Sequence, residues 1–219
     1  DSKNLFSFAA CSGAISQNLL YVNQRPSGKK APLQQDFVND GTDLVTATIG
    51  GNDVEFVEIA THCVTQFNCQ KRDGRGSDKF TKLNSGTSLT LPEYVDLRLA
   101  IIAAQLPPTY LRIKESSGHN STVAIAGYPE LFQVKPSVFC GTRSIITKKE
   151  RVYLGEAAQR FDSLLTAATG RAGVFYSPVL QDFSPHLPCG DGEVWLNGVS
   201  KGGLKDSRKL HPTDAGYKA

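Results

Sequence analysis

Apolar residues recur along the chain in two distinct periods. Leu44, Val45, Ala47 and Ile49, with Thr46 and Thr48 interleaved, predict a buried strand over 43–49. It stops at Gly50 and Gly51, where Asn52 and Asp53 hand over to a loop or helix. Thr122 to Ala126 (TVAIA) predicts a second core strand closed by Gly127, Tyr128 and Pro129. Gly173 to Tyr176 predicts a third, and residues 4–10 (NLFSFAA) a short buried one. Helical spacing of Val95, Leu99, Ile102 and Leu106 predicts a helix over Leu91–Leu106, ended by Pro107 and Pro108. A long amphipathic helix is predicted within Thr147–Ala168, through Val152, Leu154, Ala158, Phe161, Leu164 and Leu165, with Gly170 ending it. Shorter helices are expected over Ala14–Tyr21, Pro32–Val38 and Val54–Val64, and polar loops over 23–32 and 70–90. The chain after Tyr176 reads as irregular. Strands alternating with helices predict one α/β domain over 1–219, a three-layer α/β/α arrangement on a parallel sheet.

Bulk properties exclude several classes. A net charge of +3, with no Lys/Arg cluster interleaved with aromatics, argues against a nucleic-acid partner. Thr147 to Arg151, among the denser basic runs, suits the cap or solvated face of a helix. No apolar run approaches the roughly 18 residues of a membrane span. Five cysteines are an odd count: Cys63 and Cys69 could close a tight loop, Cys140 and Cys189 a long one, leaving Cys11 over. Asn120-Ser121-Thr122 is a glycosylation sequon. Sequon and paired cysteines together favour a secreted, oxidising setting over an intracellular one.

Candidate chemistry begins at the end of the 43–49 strand. In open α/β sheets, reacting groups gather at the carboxyl ends of the parallel strands. Gly50 and Gly51 permit backbone geometry that a Cβ obstructs, and the Asn52 amide can donate to an anion. The alternative is a Gly-rich turn with Asn52 in a left-handed conformation. His211, followed by Pro212, is backbone-restricted and suits a general base, although a histidine so near a terminus is more often a surface residue. Thr213 and Asp214 suit the cap of a terminal helix. His62, His119 and His186 lack metal-ligand spacing, so no metal or other cofactor is expected. Trp195 reads equally as core or as pocket wall.

Five blocks in order resemble the SGNH (GDSL-type) hydrolases, above all the secreted esterase/lipase branch known from actinomycetes, with relatives in fungi. They are Phe8 to Ala14 (FAACSGA), Asp43 to Phe56, Gly127 to Phe132 (GYPELF), Trp195 to Gly198 (WLNG) and Leu210 to Gly216 (LHPTDAG). The resemblance implies a flavodoxin-like sheet and a serine ester hydrolase cleaving acyl or acetyl esters. It places the second-block glycine on Gly13, the oxyanion asparagine on Asn52 and the catalytic histidine on His211. It also suggests disulfides Cys63–Cys69 and Cys140–Cys189. Where many relatives carry Asp three residues before the histidine, this chain has Arg208. In this branch a backbone carbonyl can orient the imidazole, which makes the Arg208 C=O the expected orienter, ahead of the Asp206 side chain. The Arg208 side chain itself has no acceptor.

The Gly-Asp-Ser block of the family is absent. Ser2 and Ser12 lie too close to Gly13 to serve, because the family places a strand, a loop and a helix between the two blocks. In a 2-1-3-4-5 strand order the absent strand would sit between the one at 4–10 and the one at 43–49. With no Met in the chain and Cys11 left over, the expectation is a processed protein. Its nucleophile and first, central strand would lie on a separate N-terminal polypeptide, on the order of 40 residues long, disulfide-linked through Cys11. The rival expectation is a catalytically silent SGNH-fold binding or toxin-like subunit.

Overall fold

The structure is a computed structural model, and it describes residues 5–24, 30–66, 68–71, 79–80, 89–132, 146–188, 192–198 and 210–219. Strands β1 (Leu44–Ala47), β4 (Thr122–Ala126) and β5 (Phe175–Ser177) form one sheet in the order β1-β4-β5. Both pairings are parallel, with Val45 opposite Val123 and Ile125 opposite Tyr176. This is the parallel α/β sheet that the strand–helix alternation predicts. β2 (Lys79–Phe80) pairs antiparallel with β3 (Leu89–Thr90), which leads directly into a helix.

Two long helices supply the crossovers: α4 (Leu91–Ser116) from β3 toward β4, and α5 (Lys148–Ala172) from β4 toward β5. Right-handed crossovers along a strand order that runs one way put successive helices on one face. There α4 and α5 pack together, and Leu99, Ile102, Leu106, Phe161 and Leu165 join Val123 and Ile125 in one buried cluster. Both helices open with capping boxes. The Thr90 N–H donates to Glu93 at 2.8 Å. At the head of α5 the Thr147 N–H donates to Glu150 Oε2 at 2.6 Å, and the Glu150 N–H returns to Thr147 Oγ1 at 3.3 Å. Glu150, 1% exposed, also accepts the Cys69 N–H at 3.1 Å. This anchors the loop closed by the Cys63–Cys69 disulfide, whose Cα atoms are 5.0 Å apart.

Several expected boundaries move. α4 runs straight through Pro107 and Pro108. These prolines cannot donate to the carbonyls of Ala103 and Ala104, a loss of about 3 kcal/mol per residue in helix propensity. The helix persists because Leu106 just before them and Tyr110 and Ile113 beyond them are all buried. α5 passes Gly170 and ends at Ala172, with Gly173 in the left-handed cap at φ 63°. The predicted helix over 54–64 is two, α2 (Gly51–Val54) and α3 (Phe56–Thr65), separated by Glu55 at φ 62°. α1 covers only Ser16–Leu20, and the 32–38 helix is a 3-10 turn at Gln34–Phe37. The 70–90 loop is described only at 70–71, 79–80 and 89–90.

Residues 5–10 form no strand. Their pattern suits one, but a strand forms only when its N–H and C=O groups meet a partner. β1 is at the edge of its sheet, and Leu5, Phe6 and Phe8 stand 95%, 85% and 76% exposed. The face of the sheet opposite α4 and α5 carries Leu44 and Phe175, both exposed as well. A parallel sheet is ordinarily covered on both faces.

Candidate active site

The turn after β1 is shaped by its two glycines. Gly50 caps α2 from the left-handed region at φ 117°, where side chains are disfavoured. A Cβ on Gly51 would lie 2.6 Å from Cε1 of Tyr128, so only glycine fits there. The Gly51 N–H donates to the Tyr128 hydroxyl at 2.9 Å, joining the loop after β1 to the loop after β4. Behind it Phe56, Tyr128 and Phe161 pack as an aromatic cluster, with Tyr128 and Phe161 centroids 5.4 Å apart. Burial pushes the Tyr128 phenol up to about 12; the Gly51 hydrogen bond opposes this and the charge of Asp53 adds to it.

This turn presents Asn52 to the loop that carries Gly13. Asn52 Nδ2 donates to the Ala14 carbonyl at 2.9 Å. The amide has two protons and this bond uses one. Gly13 takes φ 74°, a left-handed conformation, and nothing lies within 4 Å of where its Cβ would be. Backbone conformation rather than crowding therefore calls for glycine at 13. The next residue of the turn strengthens the same connection. Asp53, 4% exposed, accepts the Ser16 N–H on both carboxylate oxygens, at 3.0 and 2.9 Å, and the Ser16 hydroxyl at 2.6 Å. A buried carboxylate is tolerable only when hydrogen-bonded in this way. The Asp53 carbonyl in turn receives the Arg98 guanidinium, through Nε at 2.8 Å and through Nη2. Asn52 and Gly13, far apart in sequence, thus belong to one hydrogen-bonded unit.

His211 belongs to a second unit. Leu196 and Pro212 form an antiparallel bridge. The Thr213 N–H donates to the Trp195 carbonyl at 2.8 Å, and Thr213 Oγ1 to the Val194 carbonyl at 2.8 Å. His211 itself is exposed. After Thr213 the chain makes a hydrogen-bonded turn in place of the expected terminal helix: the Gly216 N–H donates to Thr213 Oγ1 at 3.2 Å and the Tyr217 N–H to the Thr213 carbonyl at 2.9 Å. Trp195 is packing. It stacks on His186 with ring centroids 3.5 Å apart and meets Phe183 edge-on at 5.5 Å. Phe183, Leu187 and Leu196 are buried with Leu131 against them, so this unit is packed to the loop after β4.

Between α3, α5 and that loop lies a small apolar recess lined by Phe56, Ala60, Leu131, Phe132, Leu154 and Ala158. Glu130 borders it, its carboxyl raised above the usual range by burial and partly restored by a hydrogen bond from Ser184.

Of the residues named from sequence, Arg208, Asp206, Cys140 and Cys189 lie outside the described residues. Cys11 is half-buried and unbridged among the described residues. Asn120 is exposed in the turn before β4. Among the described residues no group of three His, Cys, Asp or Glu side chains could hold a metal, and no helix is long and apolar enough to cross a membrane. Sequence reasoning passed over Ser16, and it gave Tyr128 and Asn197 only within a turn or within the blocks that carry the resemblance, with no role. Asp53 it noted only as part of a turn, although its place beside Asn52 was the available signal.

No protein-family model matches the chain. Known proteins do. The chain is similar to Lipase 1 of Streptomyces coelicolor, 28% identical over 218 residues, which is 98% of this chain and 67% of that protein. It is equally similar to a lipase of Streptomyces rimosus, 28% identical over 211 residues, 96% of this chain and 65% of that one. In three dimensions it superposes on the crystal structure of phospholipase A1 from Streptomyces albidoflavus NA297 with a TM-score of 0.72. That match has 25% identity and covers 97% of this chain and 75% of the other. The same fold and nearly the whole chain are matched together. Sequence and fold together bear out the resemblance to the SGNH hydrolases of the secreted actinomycete type. The chain spans about two thirds of the length of the two lipases it matches. The described residues comprise the Gly13–Asn52 unit and the His211 unit, both beyond the carboxyl ends of the parallel strands.

Proposed function

We propose that the chain is the larger part of a secreted serine ester hydrolase of the esterase/lipase type. Asn52 Nδ2 and the Gly13 N–H form an oxyanion hole, and His211 is the general base, oriented by the Arg208 carbonyl. The nucleophilic serine lies on an N-terminal segment preceding Asp1, whose strand pairs with the outer edge of β1. The serine Oγ attacks the ester carbonyl while its proton passes to His211. Asn52 and Gly13 stabilise the charge on the carbonyl oxygen. Collapse breaks the C–O bond, and the leaving alkoxide takes the proton from His211. Water, deprotonated by His211, then releases the acid and restores the serine.

The observation that supports this reading most is the 2.9 Å bond from Asn52 Nδ2 to the Ala14 carbonyl, which brings Asn52 to the loop that carries Gly13. Among the described residues β1 is an edge strand and Cys11 is unbridged; with the exposed side chains of Leu5, Phe6, Phe8 and Leu44, these support the missing strand and a disulfide to it. The 219 residues form one unit completed by that strand, with Asn120 a glycosylation site and Cys140–Cys189 the second disulfide.

The test is hydrolysis of p-nitrophenyl acetate and butyrate, followed by fluorophosphonate labelling and intact mass before and after reduction. Turnover, with the label on a small polypeptide released by reduction, is expected. Absence of both turnover and label favours the alternative, a silent binding subunit, for which the lack of a Gly-Asp-Ser block in the chain speaks. Label on a serine of this chain would place the nucleophile elsewhere.

A further inference from the structure

Asn197 brackets His211 from both sides. Its backbone N–H donates to the His211 carbonyl at 2.9 Å, and its own carbonyl accepts the Leu210 N–H at 3.0 Å. Its side-chain Nδ2 donates to the His211 carbonyl at 3.0 Å and also to the Pro212 carbonyl at 3.2 Å. One amide group bonded to two successive carbonyls fixes the angle between their peptide planes, and with it the backbone of the residue that leads into them. Pro212 has no N–H to anchor, so at that residue the carbonyl is the backbone group a clamp can hold. On the other side Leu210 is held at φ 58°, a conformation that a Leu adopts only when its surroundings impose it.

A general base must lie within about 2.6–3.2 Å of the proton it takes, and a displacement of about 1 Å can cost about 100-fold in rate. Side-chain direction follows from the backbone. We propose that Asn197 is a positioning residue for His211: its carboxamide sets the backbone of the base and so the direction of the imidazole. The inference rests on the reading of His211 as base, and adds a residue whose own side chain need touch neither substrate nor imidazole.

The test uses the complete enzyme, with its nucleophile-bearing segment, and p-nitrophenyl butyrate. Asn197→Ala keeps the backbone pairing and loses only the two side-chain bonds. It is expected to lower kcat about 10- to 100-fold with KM within about twofold, and to slow fluorophosphonate labelling in parallel. Asn197→Asp, similar in volume but without the donors, is expected to fall at least as far. Phe183→Leu loosens the same cluster without touching the clamp, and is expected to keep wild-type kcat once assayed below its unfolding temperature. If either Asn197 variant loses no more kcat than Phe183→Leu, or loses it through KM alone, the positioning role is overturned. A wild type without turnover or label, or a His211→Ala variant with wild-type kcat, overturns the functional reading and this inference with it.

Discussion

The Asp53 carboxylate receives the Ser16 N–H on both oxygens and the Ser16 hydroxyl at 2.6 Å, with both residues buried. This bond set fastens the start of α1, and the Gly13 loop before it, to the turn after β1. A carboxylate removed from water is costly unless its lone pairs are filled, so the pairing holds only with both partners in place. Hydrogen bonds to a charged group are worth about 1.5–3 kcal/mol. Ser16→Ala is predicted to lower unfolding free energy by about that amount in urea titration, with the m-value unchanged. An unchanged midpoint would remove the pairing from the account of how the loop is held.

Asn52→Ala is predicted to act on catalysis more than on folding. Loss of one oxyanion donor costs about 2.7–4 kcal/mol, or about 100- to 1,000-fold in kcat. The Ala14 carbonyl also loses its partner, a smaller effect of about 1 kcal/mol on stability. Steady-state kinetics on p-nitrophenyl butyrate decide it: the expected loss is in kcat, with KM little altered.

The two loop glycines should fail for different reasons. In Gly51→Ala the new methyl meets the Tyr128 ring at 2.6 Å, and that ring is wedged against Phe56 and Phe161. Overpacking of this kind costs about 1–3 kcal/mol. Gly13→Ala meets nothing within 4 Å but must hold φ 74°, a cost of about 1–2 kcal/mol. Tyr128→Phe in the Gly51→Ala background leaves the ring in place and is predicted to give no rescue in thermal unfolding.

Glu130 predicts a pH dependence. Burial raises its carboxyl above the ordinary glutamate value, so ionisation costs the folded chain more than the unfolded one. The stability tied to the neutral form is complete below the unfolded pKa and is lost as pH rises through the folded one. Glu130→Gln cannot ionise and keeps an oxygen for the Ser184 hydroxyl. Its Tm is predicted to exceed that of the wild type at neutral pH and to match it below about pH 4. Equal melting curves at both pH values would contradict the shift.

The sequence by itself determined whatever depends on neighbours along the chain. The period-two runs at 44–47 and 122–126, and the helical spacing through Val95, Leu99 and Ile102, emerge as strands and helix within a few residues. The Gly50-Gly51-Asn52 turn announced a site because its glycines and its amide are local signals. Tertiary structure decided the rest. Residues 5–10 carry a strand's pattern and form none, because a strand needs a partner and they pair with no strand of the sheet. Pro107 and Pro108 signal a stop, yet α4 passes them because burial of Leu106, Tyr110 and Ile113 outweighs the propensity loss. Asp53 with Ser16, and Asn197 with His211, could not be paired from sequence. Their contacts span 37 and 14 residues, and a hydrogen bond across such a separation exists only once the intervening chain has chosen its path.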